Sequence, residues 1–306
     1  MQRYIVKRLI QAVITLFFVS VIVFILGRLT GDPVALLLTE TSTEEDRILL
    51  TKQLGLDKPL PEQYGIFIWN AIRGDLGRSV RGDRAPALEL VLDRLPASVE
   101  LAAVALIVTL LFGLPLGVLS AIKKGSILDV IGRMFALLGQ SAPPFWIGIV
   151  AMYVFGVQLG LLPCAGYGRP EQFVLPVLAM SWFQTAAIMR LTRSSMLEVL
   201  DSEYIKLARI KGLSEAIVIW KHALRNSLLP VLTYSGTILG RMITAVVVIE
   251  TVFAWPGIGR LAYEAVMQRD FPVVQAVVLV MAALFLFINL VVDILYAYID
   301  PRIRYS

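Results

Sequence analysis

The chain has little of what most soluble chemistry needs. Its single cysteine, Cys164, excludes an intramolecular disulfide framework and any cysteine-cluster metal site. Its single histidine, His222, leaves no histidine pair for a metal and little for histidine-based catalysis. Each is read as a packing or hydrogen-bonding side chain. Charge is sparse as well: Asp, Glu, Lys and Arg make up 17% of the 306 residues, against roughly 25% in a soluble domain. No G-x-x-x-x-G-K-[ST] loop occurs, and Lys123, Lys124, Gly125 and Ser126 lack the glycines that would cradle phosphate. There is no nucleophile–base constellation and no metal-ligand spacing, so no catalytic and no metal residues are assigned. If this chain takes part in an ATP-driven process, the nucleotide must be bound elsewhere.

What it has in abundance is apolar surface. Apolar residues are 58% of the chain and the mean hydropathy is +0.77. They come in blocks of the length a bilayer core demands, about 20 residues. Six stand out, at about residues 9–29, 99–122, 135–159, 174–191, 228–253 and 273–298. Arg3, Lys7 and Arg8 before the first block resemble the start of a signal peptide. The block outlasts the 7–15 residues of a signal core, however, and no A-x-A-like site follows, so it reads as a retained helix. The net charge of +5 and pI near 9.3 do not point to nucleic acid, because the basic residues cluster between apolar blocks. The expectation is an all-α, multi-pass membrane protein with six transmembrane helices.

Lys/Arg bias orients it. Arg3, Lys7 and Arg8, then Lys123, Lys124 and Arg133, then the dense set from Arg190 to Arg225, and finally Arg302 and Arg304 mark one side. The connections after the third and fifth spans carry only Arg169, then Arg260 and Arg269. The first, 30–98, has several Arg but more acids and is long enough to translocate regardless of its charge. Both termini are therefore expected in the cytoplasm. The chain divides into a first helix (1–29), an extracytoplasmic cap (30–98) and a five-helix core (99–306) holding a cytoplasmic loop at 192–227.

The spans are not plain anchors. Gly113 and Gly117, Gly156 and Gly160, and Gly236 and Gly240 have small-xxx-small spacing, which lets helix backbones approach closely. Pro143 and Pro144 should break or kink the third span. This suits ordinary helix packing and equally a bundle that moves around a central path. Asn289 and Asp293, four apart, share a face of the sixth span, while Gln140, Ser141, Ser181 and Gln184 punctuate the third and fourth. Of these, Gln140, Ser141, Gln184 and Asn289 are candidates to line a path. No run of ionisable residues crosses the spans as a proton or sodium relay would require.

Residues 190–230 carry the most information. Met196, Leu197, Val199 and Leu200, then Tyr204, Ile205, Leu207 and Ala208, repeat at near-helical spacing on a basic background. Gly212, with Lys211 before it, supplies a helix stop. Ser214 can cap a second helix over 215–226 bearing Ile217, Val218, Trp220 and Leu224. Helix–glycine–helix on the inner face fits two uses: an amphipathic pair lying on anionic lipid, or a knuckle for a groove on a soluble partner.

The stretch from Ala208 through Arg209, Ile210, Lys211, Gly212 and Leu213 to Ser214 resembles the coupling-loop signature of binding-protein-dependent ABC permeases. It is similar to the version found in the dipeptide/oligopeptide/nickel subfamily. His222, Ala223, Leu224, Arg225 and Asn226, then Leu229, Pro230 and Val231, match the family pattern C-terminal to that signature. Lys206 and Arg225 depart from the general permease pattern in the way this subclass does. Further strings fit in order: Gly31, Asp32 and Pro33; Leu54 to Leu60; Gly74 to Ser79; Arg94, Leu95 and Pro96; Glu250 to Phe253; Trp255 to Arg260; Arg269 to Gln275; and Asp300 to Arg304.

The resemblance implies a type I importer fold in a prokaryotic inner membrane, serving as half of a translocation pathway for di- or oligopeptides. It implies a second homologous permease, two cytoplasmic ATPases that bind ATP and Mg, and an extracytoplasmic substrate-binding protein, with the permeases in contact with membrane lipid. No cofactor is expected on this chain and no nucleic acid as partner. Glu203, Tyr204, Lys206, Ala208, Arg209, Lys211, Gly212 and Leu213 are the implied ATPase-coupling residues. Ala208 and Gly212 are read as small so that the loop seats closely. Arg209 and Lys211 are read either as partners of acidic groups on the ATPase or as plain topology signals. Gly74, Asp75, Leu76 and Arg78 either contact the binding protein or stabilise the cap. Nickel chelate, glutathione or an oligosaccharide are alternative cargoes. A stand-alone carrier or channel is the contrasting class, and an intramembrane enzyme finds no catalytic pair.

Overall fold

The computed structural model describes residues 2–29, 34, 38, 43–53, 55–81 and 84–299. The motif residues Gly31, Asp32, Pro33, Leu54 and Asp300 to Arg304 lie outside the described residues. In chain order the helices are α1 (Gln2–Leu29), α2 (Glu44–Gln53), α3 (Leu60–Ile72), α4 (Ala87–Ile122), α5 (Ile127–Ser141) and α6 (Pro144–Ala151), the last continued by a π-helical turn, Met152–Gln158. There follow α7 (Pro170–Leu200), α8 (Glu203–Ile210), α9 (Glu215–Ile217) with a π-helical Val218–Ala223, α10 (Leu224–Val252), α11 (Ile258–Met267) and α12 (Phe271–Ile299). Among the described residues no strand forms, and only an isolated bridge joins Arg78 to Pro86.

Among the described residues four helices are long and apolar enough to cross a membrane: Ile5–Leu29, Ala87–Ile122, Pro170–Leu200 and Phe271–Ile294. Two bent pairs, Ile127–Ser141 with Pro144–Gln158 and Glu215–Ile243 with Val246–Val252, bring the number to six when each counts as one span. The third expected span, 135–159, is thus not one helix with a kink. Its two parts meet at 102°. Two prolines in a row cause this. Ala142 is held extended at φ −99°, ψ 132° before Pro143, Pro143 stays extended at ψ 141°, and Pro144 restarts the helix in its first turn.

Residues 1–97 with 256–306 form one compact unit and residues 98–255 a second, with α4 running from the first into the second. In the first, α1 packs on α12 and α3, and α11 packs on α12. Tyr64 of α3 sits edge-on to Phe17 and Phe24 of α1, with its hydroxyl 2.8 Å from Ser20 Oγ. Ala87, Val91, Ile258, Ala265, Val273, Ala276 and Val277 form a buried cluster beside Leu76.

In the second unit α7 is the centre, with α5, α6 and α10 packed around it. Ser98 Oγ donates to the fully buried Glu250 carboxylate at 2.5 Å. Tyr167 and Phe173 stand edge-on to buried Trp255, at 4.9 and 4.6 Å.

Candidate functional site: the loop between α7 and α10

α7 ends at Leu200, and Ser202 in extended backbone (ψ 151°) opens α8. Glu203, in the first turn, suits the positive end of the helix dipole. Lys206 Nζ donates to Glu203 Oε1 at 2.7 Å, and that carboxylate holds the ammonium above its ordinary pKa. The helix stops in a two-bond cap: Gly212 N–H donates to Arg209 O at 2.9 Å and Leu213 N–H to Ala208 O at 3.4 Å. Gly212 has φ +77°, a conformation that costs an L side chain roughly 1–2 kcal/mol. Ser214 occupies the cap position of α9, yet its hydroxyl makes no capping bond.

α8 has two apolar faces. Ile205 and Ala208 are buried, sharing a cluster with Val118 and Ala121 of α4, Met196 of α7, and Val218 and Ala223. Ala208 is therefore small to suit the bundle beneath it; it does not face outward. Tyr204, Leu207 and Ile210 point the other way, with Ile210 81% exposed. Leu213, Ile217 and Trp220 continue this outward apolar surface.

The charges divide by role. Arg209 makes a forked pair with Glu215 across the glycine turn, Nε–Oε1 2.8 Å and Nη2–Oε2 3.4 Å, so it braces the loop. Lys211 is exposed beside the turn. The Tyr204 hydroxyl accepts from Asn226 Nδ2 at 2.8 Å, tying α8 to the start of α10. The second expected helix, 215–226, does not end before the fifth span. It runs through the π-helical turn into α10 without a break. The outward residues Leu207, Ile210 and Trp220 were legible as apolar positions, but spacing alone does not say which side is covered.

A second group carries no motif in the sequence. Asp129, 1% exposed, lies in the first turn of α5. Arg193 of α7 donates to it twice, Nε–Oδ1 2.7 Å and Nη2–Oδ2 3.0 Å. Ser120 Oγ donates to Oδ1 at 2.7 Å and Gly125 N–H to Oδ2 at 3.0 Å. The available signal was the Ser126–Asp129 spacing, an N-cap pattern amid basic residues.

The 74–79 motif builds a pinned turn within the first unit. Asp75 Oδ1 accepts from Gly77 N–H at 3.0 Å, and Leu76 packs on the buried cluster. Buried Ser79 donates to Asp270, whose other oxygen takes Val80 N–H at 3.3 Å. Gly74, Asp75 and Arg78 lie at the surface. The path candidates separate. Buried Gln140 Nε2 and Gln184 Oε1, like Trp182 Nε1, have no hydrogen-bond partner. Exposed Ser141 donates to Leu137 O at 2.8 Å. Asn289 belongs to the first unit, lining a cavity of about 530 Å³ with Arg8, Thr15 and Asp293, where Arg8 Nε is 3.1 Å from Asp293. Among the described residues no group of three His, Cys, Asp or Glu is placed to hold a metal ion.

The family model described as binding-protein-dependent transport system inner membrane component matches residues 113–305, and its N-terminal companion matches residues 1–102. The glutathione transport system permease protein of Escherichia coli (strain K12) is 39% identical over 307 residues. The dipeptide transport system permease protein of Alkalihalophilus pseudofirmus is 36% identical over 334 residues. Both alignments cover all of both chains. Among solved structures, an inward-facing form of a methionine ABC transporter matches with TM-score 0.56 at 17% identity, covering 69% of this chain and 96% of that one. An amino acid ABC transporter matches at 0.54 and 18%, covering 70% and 94%. These two likenesses speak for the fold, while the sequence matches speak for the lineage: the chain belongs to the family of multi-pass inner-membrane components of binding-protein-dependent transport systems.

Proposed function

We propose that this permease forms half of an ATP-driven import pathway for short peptides, and that the loop at 203–213 is where cytoplasmic ATPases push on it. The observation that carries the reading is the two-faced α8. One face is locked into the bundle through Ile205 and Ala208, and the other presents Tyr204, Leu207 and Ile210 beside Lys206 and Lys211. An exposed apolar ridge of this kind on an anchored helix suits a groove on a soluble partner. In this reading ATP and Mg sit on two ATPase subunits, a second homologous permease completes the path, and a binding protein delivers cargo on the opposite side. The Lys/Arg bias of this loop favours the ATPase side for it. Gln140, Ser141, Gln184 and Asn289 are proposed path residues, and Gly74, Asp75 and Arg78 proposed contacts for the binding protein.

Short peptides are the proposed cargo because relatives aligned end to end are named for dipeptide and for glutathione transport. The test is uptake of radiolabelled dipeptide, glutathione and nickel chelate by cells carrying the complete system, with and without this chain. Dipeptide or glutathione uptake that vanishes with the chain is expected. Uptake of nickel chelate alone would overturn the cargo assignment.

A further inference from the structure

We infer that Asp129 and Arg193 are positioning residues that make the ends of α4, α5 and α7 move as one piece with the loop helix α8. This rests on the reading of α8 as the place where the ATPases push.

The joint beneath α8 has an apolar part and a charged part. The apolar part is the cluster in which Ile205 and Ala208 meet Val118 and Ala121 of α4 and Met196 of α7. Apolar contact is non-directional and by itself lets one helix slide along another. The charged part lies beside it in the sequence of both helices: Ser120 falls between Val118 and Ala121, and Arg193 lies one turn before Met196. There the Asp129 carboxylate takes four hydrogen bonds, from Ser120 on α4, from Gly125 in the α4–α5 turn, and twice from Arg193 on α7. Arg133, one turn along α5, adds a second cation 3.7 Å from Oδ2. A forked guanidinium–carboxylate pair fixes direction and register as a packed methyl cannot.

The α4 and α7 backbones leave no room for a side chain between them, and the tip of the Met189 side chain fills the space beside α5. A Cβ at Gly117 of α4 would fall 2.6 Å from Thr192 Cβ and 2.7 Å from Met189 O, both on α7. One at Gly132 of α5 would fall 2.3 Å from Met189 Cε. α7 is thus held closely by α4 and α5, and the ion pair sets the registers of all three. A buried ion pair adds little net stability over apolar packing, and register is its best-attested use. A displacement of α8 would then reach three helices together.

The test uses the whole importer in proteoliposomes, reading cargo taken up per ATP hydrolysed, with co-purification as the measure of assembly. Asp129→Asn keeps the shape and removes the charge. It should assemble yet lower the coupling ratio between about twofold and thirtyfold, the range set by couplings carried through intervening residues. Arg193→Lys, which keeps the charge without the fork, should fall between it and the unaltered chain. An assembled Asp129→Asn complex within twofold of the unaltered ratio overturns the inference. If Asp129→Asn does not assemble, Arg193→Lys decides on the same criterion. Failure of both to assemble assigns the pair to folding and overturns it equally. If the unaltered complex itself shows no ATP-dependent uptake, the transport reading has failed instead.

Discussion

Replacing Ile210 with Ala tests whether the outward face of α8 is a docking surface. Ile210 is 81% exposed and belongs to no buried cluster, so the substitution should leave the permease fold untouched. If docking buries it, the loss of three carbon groups removes about 0.8 kcal/mol each. Scaled by the fraction now exposed, that is about 2 kcal/mol, or roughly thirtyfold in affinity for the ATPase subunit. The assay is titration of the purified ATPase onto the permease pair held in nanodiscs, with Ile205→Ala as the counterpart. Ile205 is buried inside the bundle, so its truncation should cost about 2–5 kcal/mol of stability. Ile210→Ala should lower affinity at unchanged melting temperature, and Ile205→Ala should lower the melting temperature. An Ile210→Ala affinity within twofold of the unaltered protein would refute the assignment of this face.

Gly212 should tolerate Asn better than Ala in uptake assays. No atom lies within 4 Å of a Cβ there, so only the positive φ opposes substitution, by roughly 1–2 kcal/mol for Ala and less for Asn. Full activity of the Ala variant would count against a strained turn. The Arg209–Glu215 brace is exposed and therefore weak, so Arg209→Gln should change thermal stability by less than about 1 kcal/mol; a larger loss would show that the pair holds the loop more firmly than an exposed ion pair does. Ser79→Ala removes a buried donor to Asp270 and should destabilise the 74–79 turn by about 1–3 kcal/mol, read as faster limited proteolysis. Unchanged cleavage would argue that the turn is held otherwise.

The spanning helices and the loop helices were legible in the sequence, whereas their limits and the short helix Ile258–Met267 were not. Hydropathy marks 99–122, whereas α4 begins at Ala87, because helical backbone hydrogen bonding already runs through Asp93 and Arg94 before the apolar signal starts. The same applies to α7, which runs beyond 191 to Leu200, and to the 215–226 segment, which merges with α10. Pro143 and Pro144 announced a break whose angle depended on packing. At the site, the Gly212 turn came from one residue's backbone freedom and could be read directly. The inward turn of Ala208 and the Arg209–Glu215 pair could not, since each depends on which side of α8 meets the bundle. The Ser126–Asp129 spacing signals only a helix start; the pairing of Asp129 with Ser120 and Arg193 was hidden because they lie 9 and 64 residues away.

The central proposal is that this chain moves cargo only when ATPases drive it through the 203–213 loop. The measurement that bears on it is flux of labelled dipeptide into proteoliposomes containing this chain alone, then with its second permease, ATPases and binding protein added, with and without ATP. Flux is expected only from the full assembly with ATP. ATP-independent flux through this chain alone would contradict the coupling role.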